Sequence, residues 1–442
     1  MTSSMYSIHK PLSLFKLLLL TLLVLVNTSA FSQGEELLAF LEGHPEIEVK
    51  PCLLPDGYTS AYTLFISQPL DHKAPEKGTF KQRVYLSHMH RDSAMVIVTE
   101  GYDRTNNRMY ELSEILGANQ LDVEHRFYGE SIPEDFDWHY LTIEQATADY
   151  HNINEIFNTF YSKSWVSTGI SKGGQTSIFY RYFYPDDVKA SVPFVAPINL
   201  SLEDERIYAF LDNVGSKACR NKLKRVQLEL FENKAEALTY LMFYAKEAKL
   251  TFNMHENGLD AAFEYAVLEY PFSFWQWGHK CEDIPKKGTS IEALVNYLLV
   301  VSGIDFFSDK DIAYYGSHYY QCGAQFGYYG YNPEGFEQYL TAIKWDENNH
   351  PSAIFMPENT TITFNPELVQ KVYDWTQTSG NQMIYINGAN DTWSATGVPA
   401  SAKVDALWFV MKNQSHGTAR IANMNEDEKR ILLKALSYWM SH

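Results

Sequence analysis

Apolar positions along the chain change period several times, and each change marks an element. After a polar lead-in they alternate from Tyr58 to Ser67, with Tyr62, Leu64 and Ile66 on one side. A second such stretch, Thr79 to Ser87, follows a connection bearing Pro, Asp and Gly, which predicts an antiparallel pair of strands. Met95 to Thr99 is apolar without alternation, as in a strand covered on both faces, and Leu121-Asp122-Val123 is a second such run. Thr142 with Gln145 has the form of a capping box, after which Ile143, Ala146, Tyr150, Ile153, Phe157 and Phe160 recur at helical spacing. Trp165 to Thr168 predicts a strand, Gln175 to Tyr184 a helix stopped by Pro185, and Val188 to Val195 another strand.

Strands that alternate with helices imply a mostly parallel sheet with helices on both faces, since parallel neighbours need a long crossover. The alternation breaks from about Leu200 to Asn365, where helical stretches such as Arg225 to Lys249 and an aromatic-rich segment replace the strands. It resumes with Met383 to Ile386 and Ala406 to Val410, and ends in a helix capped by Asn425 with Glu428. The expected organisation is an α/β sheet domain in two parts, residues 31–199 and 366–442, interrupted by a largely helical cap over 200–365.

Residues 1–30 read differently. Basic residues precede the apolar run Leu17 to Val26, and small residues follow up to Ala30, which is the form of a signal peptide. The apolar run is short of the ~20 residues a membrane span needs, so we expect an exported chain, secreted or periplasmic, without stable membrane insertion after cleavage. Export makes Cys52, Cys219, Cys281 and Cys322 an even set sufficient for two disulfides. Spacing leaves three pairings open, of which Cys219 with Cys281 is preferred. A net charge of -18 argues against nucleic acid as a partner, because phosphate binding draws on lysine and arginine.

Candidate chemistry centres on Gly169-Ile170-Ser171-Lys172-Gly173-Gly174, between a strand and a helix. The G-x-S-x-G pattern forms a tight turn that lifts a serine hydroxyl above the sheet, making Ser171 the candidate nucleophile. A serine needs a base, and the base needs an orienting carboxylate. Asp391 follows the strand ending at Asn387, and His416 follows the last strand, so all three emerge on the rim where parallel sheets bind ligands. Their order, nucleophile then acid then base, is the order of the α/β-hydrolase fold. The oxyanion donors expected are the amide of Lys172 and an amide of Gly101 or Tyr102, in the loop after an early strand. Lysine stands in the wrong place for a phosphate loop, which puts it directly before the Ser/Thr.

These segments resemble those of the secreted proline-directed serine peptidases. Leu121 to Ser131 looks like the E-H-R-[YF]-[YF]-G-E-S segment of prolyl carboxypeptidase and its dipeptidyl-peptidase relatives. Gly169 to Gly174 with Tyr182, Tyr184, Pro185 and Ala196-Pro197-Ile198 resembles their elbow, helix and next strand. Asn387 to Ser394 is similar to their N-G-x-x-D-P-W loop, and His416 with Arg420 to their histidine loop. Lys172 in place of tyrosine and Thr392 in place of proline depart from the carboxypeptidases; the Ser-Lys-Gly-Gly form is closer to the bacterial PS-10 tripeptidyl aminopeptidases. That resemblance implies release of tripeptides ending in proline, with peptides as the substrate class.

An aminopeptidase must hold a protonated amine, for which a carboxylate in a partly desolvated site is the natural partner. Glu100 and Glu130 are the candidates, the alternative being that Glu130 or Arg126 pins its loop by an internal ion pair. Rings in Phe272 to Trp277 and Tyr314 to Tyr331 offer an apolar slot for a proline ring between sheet and cap. No metal or organic cofactor is required. Rival readings are a dipeptidyl-peptidase or carboxypeptidase, an esterase or lipase on the same scaffold, and a non-catalytic secreted binding protein.

Overall fold

The computed structural model describes residues 34–134, 136–344, 355–356 and 362–442. The expected signal peptide over 1–30 lies outside them. Nine strands form one sheet in the order β1-β2-β3-β5-β4-β6-β7-β8-β9. The antiparallel entry consists of β1 (Ile47–Pro51), β2 (Ser60–Pro69) and β3 (Thr79–His88), and β3 also runs antiparallel to β5. From β4 (Met95–Thr99) and β5 (Asn119–Val123) onward, β6 (Trp165–Ile170), β7 (Ala190–Phe194), β8 (Met383–Gly388) and β9 (Ala406–Met411) pair in parallel. With a crossed-over β4/β5 pair and helices on both faces, this is the α/β-hydrolase fold.

The lead-in is less featureless than its polar composition suggests. Residues 34–42 form helix α1, which buries Leu37 and Leu41 against the sheet, and β1 extends the sheet edge. Neither gives a strong periodic signal, because the helix is short and the edge strand is half-exposed.

Alternate residues of β4 face opposite helical layers. Val96 and Val98 pack with α2 (Glu111–Leu116) and the last helix, while Met95 and Ile97 pack with α1 and α3 (Ile143–Phe157). The α3 cap is only half the predicted box: Thr142 accepts from the Gln145 amide at 3.2 Å, but the Gln145 side chain turns away to Asp71 and the His72 amide. α4 (Lys172–Phe183) leaves the elbow and stops before Pro185.

Between β7 and β8 the chain leaves the sheet as a set of helices: α5 (Arg206–Leu211), α6 (Lys217–Glu232), α7 (Lys234–Ala248), α8 (Gly258–Trp277), α9 (Ile291–Val301), α10 (Asp309–Tyr314) and α11 (Gly316–Gln321). The helical stretch expected from Arg225 to Lys249 falls in two helices that meet at Asn233. α12 (Glu367–Thr378) returns the chain to the sheet, and α13 (Glu426–Ser441) starts with a complete Asn425–Glu428 capping box.

One disulfide, Cys219–Cys281, ties the start of α6 to the segment after α8, with Cα atoms 5.5 Å apart. The second disulfide that four exported cysteines allow is not formed. Cys52 stays near the surface at the β1 edge and Cys322 is buried in the cap. No helix among the described residues is long and apolar enough to cross a membrane.

Candidate active site

β6 runs straight into the elbow. Ser171 has φ 58° and ψ −123°, a conformation unfavourable for a residue with a side chain, and its amide is held by the Phe194 carbonyl at 2.9 Å. A Cβ at Gly169 would lie 2.3 Å from the Gly173 backbone, so the strand and helix can approach this closely only without one. The turn therefore presents the Ser171 side chain at the carboxyl end of the sheet.

Asp391 and His416 come together there. Asp391 is fully buried after β8; one carboxylate oxygen accepts the Trp393 amide at 3.1 Å, and the other accepts His416 Nδ1–H at 2.8 Å. That bond fixes the tautomer with Nε2 free of the proton, the form a general base needs. Ser171 and His416 both line one cavity of ≈ 520 Å³.

The cap completes this arrangement through α8. The His416 amide donates to the Gln276 carbonyl at 2.9 Å, and the imidazole meets the Trp277 ring edge-on at 5.9 Å. Thr392 Oγ1 donates to the Phe272 carbonyl at 2.9 Å. Proline has no hydroxyl to make that bond, which gives the Thr392 departure from the prolyl carboxypeptidase pattern a structural purpose.

Of the expected oxyanion donors, the Lys172 amide heads α4, where a helix has no internal acceptor for its first N–H groups. Gly101 packs directly on it: a Cβ there would lie 2.6 Å from Lys172 Cβ and 2.7 Å from the Gly173 nitrogen. The Lys172 side chain binds the same loop, its Nζ donating to the Gly101 carbonyl at 2.7 Å beside the rings of Tyr102 and Tyr128. Burial pushes this ammonium down to about 7. Tyr102 is set in place by neighbouring rings and by its carbonyl, which accepts from the His125 amide at 3.1 Å.

The two carboxylates expected to hold an amine part company. Glu100 reaches the cavity, but Tyr110 donates to it and Arg104 lies 3.7 Å away. Burial holds its carboxyl above the usual range, and it shares that environment with the still more strongly raised Asp122. Glu130 is not brought to the cavity. Its side chain is 63% exposed and faces Arg83 at 3.9 Å, so its position matches the loop-pinning alternative. The rest of that segment is structural: Glu124 gathers Arg83, the Glu130 amide and Ser131, and Arg126 grips Asp149 through two 2.7 Å bonds.

The cap contributes residues that no motif marks. Rings of Phe272, Tyr315, Tyr319, Tyr328 and Tyr329 line the cavity, as the aromatic segments suggested, but so does Glu269. Glu269 is 2% exposed on α8, with Ser273 donating at 2.5 Å and Tyr329 at 2.8 Å, and burial pushes its carboxyl up to about 7. An acid inside the nearly continuous apolar run from Ala261 to Trp277 was the available signal.

The family model described as PS-10 peptidase S37 matches residues 33–440. The prolyl tri/tetrapeptidyl aminopeptidase of Streptomyces mobaraensis is 33% identical over 381 residues, covering 84% of this chain and 78% of that protein. The lysosomal Pro-X carboxypeptidase of Mus musculus is 28% identical over 177 residues, covering 35% of this chain and 36% of that protein. Among solved structures, proline iminopeptidase of Mycobacterium smegmatis matches with a TM-score of 0.40 at 11% identity, covering 85% of this chain and 98% of that one.

Proposed function

The chain belongs to the PS-10 peptidase S37 family and is a serine peptidase, and we propose that it releases short peptides from the free amino end of its substrates. The observation that carries this reading is the Asp391–His416 pair opening, with Ser171, into one cavity roofed by the cap. Ser171 attacks the scissile carbonyl while His416 Nε2 takes its proton, and Asp391 steadies the imidazolium. The amides of Lys172 and of Gly101 or Tyr102 receive the oxyanion. His416 then protonates the leaving amine, and water, activated by the same imidazole, clears the acyl-enzyme. No metal or organic cofactor enters these steps, and the apolar leader over 1–30 directs export.

A cavity of ≈ 520 Å³ suits a short segment of peptide. The ring-lined wall suits a proline ring, and the prolyl tri/tetrapeptidyl aminopeptidase likeness points the same way. The experiment is mass spectrometry of products from a peptide library with free and acetylated amino ends. We expect tripeptides with proline at the cleaved bond, and no cleavage of acetylated members. Cleavage independent of acetylation would overturn the aminopeptidase reading.

A second reading, carboxypeptidase action, is favoured by Arg108 and Arg420 in the cavity wall, since a guanidinium is the natural partner of a terminal carboxylate. Both have other engagements. Arg420 donates to the carbonyls of His416 and Ala419, and Arg108 to the Tyr110 hydroxyl. Release of single residues from the carboxyl end in the same library would favour that reading instead.

A further inference from the structure

α8 carries two buried acids five residues apart, and the fold treats them differently. Glu264 is fully answered: it accepts the amides of Thr341, Ala342 and Ile343, and Lys234 lies 2.6 Å away. Glu269 is met by hydroxyls alone, from Ser273 and Tyr329 with Tyr331 beside them, and no cation stands beside it among the described residues. A carboxylate has about four acceptor positions, so at least one remains for a ligand. It lines the same cavity as Ser171 and is almost wholly withdrawn from water.

The geometry points to Glu269 as the anchor for the substrate's α-ammonium group, a role that rests on the aminopeptidase reading given above. A buried carboxylate left without a counter-ion is costly, and an ammonium delivered by the ligand supplies that counter-ion where no solvent screens it. Asn199 offers a further acceptor in the same wall; its Oδ1 is buried and accepts no hydrogen bond among the described residues. Glu100, the other acid in the cavity, is a poorer host because Arg104 already stands 3.7 Å from it and Tyr110 donates to it. Tyr329 holds Glu269 in place, its ring stacked on Phe272 at 3.8 Å. With the amine fixed on α8 and the scissile carbonyl at Ser171, the distance between cap and elbow becomes a ruler for product length.

The test compares kcat/KM for a proline-containing tripeptide anilide with a free or an acetylated amino end. Rates are counted per active site labelled by a fluorophosphonate, so that a folding loss is separated from a binding loss. In the wild type the free amine should be favoured by about 100-fold or more. Glu269→Gln should bring that ratio to within a few-fold by raising KM for the free amine, with a smaller effect on kcat. Retention of the full ratio in Glu269→Gln would overturn the assignment, as would its collapse in Glu100→Gln instead. Tyr329→Phe serves if Glu269→Gln does not fold. It keeps the ring stack, loses one donor to the carboxylate, and should raise KM for the free amine several-fold; an unchanged KM counts against the anchor. A wild type indifferent to acetylation removes the aminopeptidase reading itself, an outcome distinct from failure of Glu269 alone.

Discussion

The sheet side and the cap side of the cavity each contribute an acid, and the two are opposite in kind. Glu100, just after β4, has a cation of the protein's own beside it, Arg104 at 3.7 Å, and Tyr110 donates to it. Glu269, on α8, has hydroxyl donors only. The difference teaches where to look for recognition. A charge already balanced within the protein holds structure, whereas one left to be balanced has something to gain from a ligand. On the proposed reading the sheet side supplies chemistry and the cap side recognition.

The largest effect that would break or sharpen this contrast is expected at the elbow. Ser171→Ala should lower kcat by about 10⁴-fold or more and abolish fluorophosphonate labelling, because the base is left with no nucleophile to activate. The same variant should still bind a free-amine peptide, measured by calorimetry, since the cap wall is untouched. Undiminished hydrolysis in Ser171→Ala would remove the elbow from the mechanism. Loss of binding together with turnover would mean the two sides do not divide the work.

A smaller effect belongs to the cap alone. Cys219–Cys281 closes a loop with a sequence separation of 62 within it, and a cross-link of that span restricts the unfolded chain by about 4 kcal/mol. Replacing both cysteines by serine should lower the denaturant midpoint by a corresponding amount. Because α8 holds the His416 loop through the Gln276 carbonyl, activity near the transition should fall with cap stability rather than with the sheet. An unaltered midpoint would show that the cap is held by packing and not by this bond.

How far the sequence was legible follows the same division. β4, β8 and β9, the elbow, Asp391 and His416 are legible because these strands are short, largely apolar runs and each site residue lies in the turn or loop that leaves a strand's carboxyl end. Glu130 was misplaced because a motif gives neighbours along the chain and not the direction of a side chain; Glu124 and Arg83 turn that loop so that Glu130 faces solvent. Glu269 was passed over because a cavity wall built from a long apolar helix has the periodicity of core. Only the fold reveals that one turn of α8 faces an opening, and that Tyr329, 60 residues away, meets it there.

The smallest of these effects concerns Glu269 and proton linkage. Its carboxyl is raised from 4.5 to about 7, chiefly by burial, while Ser273, Tyr329 and Tyr331 pull it down as hydrogen-bond donors. Between those two values the folded protein keeps a proton that the unfolded chain has lost. Stability contributed by the neutral acid is therefore present below pH 4.5 and falls as pH rises toward 7. The full cost of the buried charge, about 3 kcal/mol, is reached above that. Glu269→Gln has no proton to lose, so its stability relative to wild type should climb across this window and then level off. Other shifted groups, Lys172, Glu100 and Asp122 among them, are present in both proteins and cancel in the difference. Denaturant unfolding at pH 5 and pH 8 measures it, and a constant difference between the two would mean that Glu269 is not a withheld charge. Saturating the wild type with a free-amine tripeptide at pH 8 should recover part of the same stability, because the ligand then supplies the cation that the cap lacks.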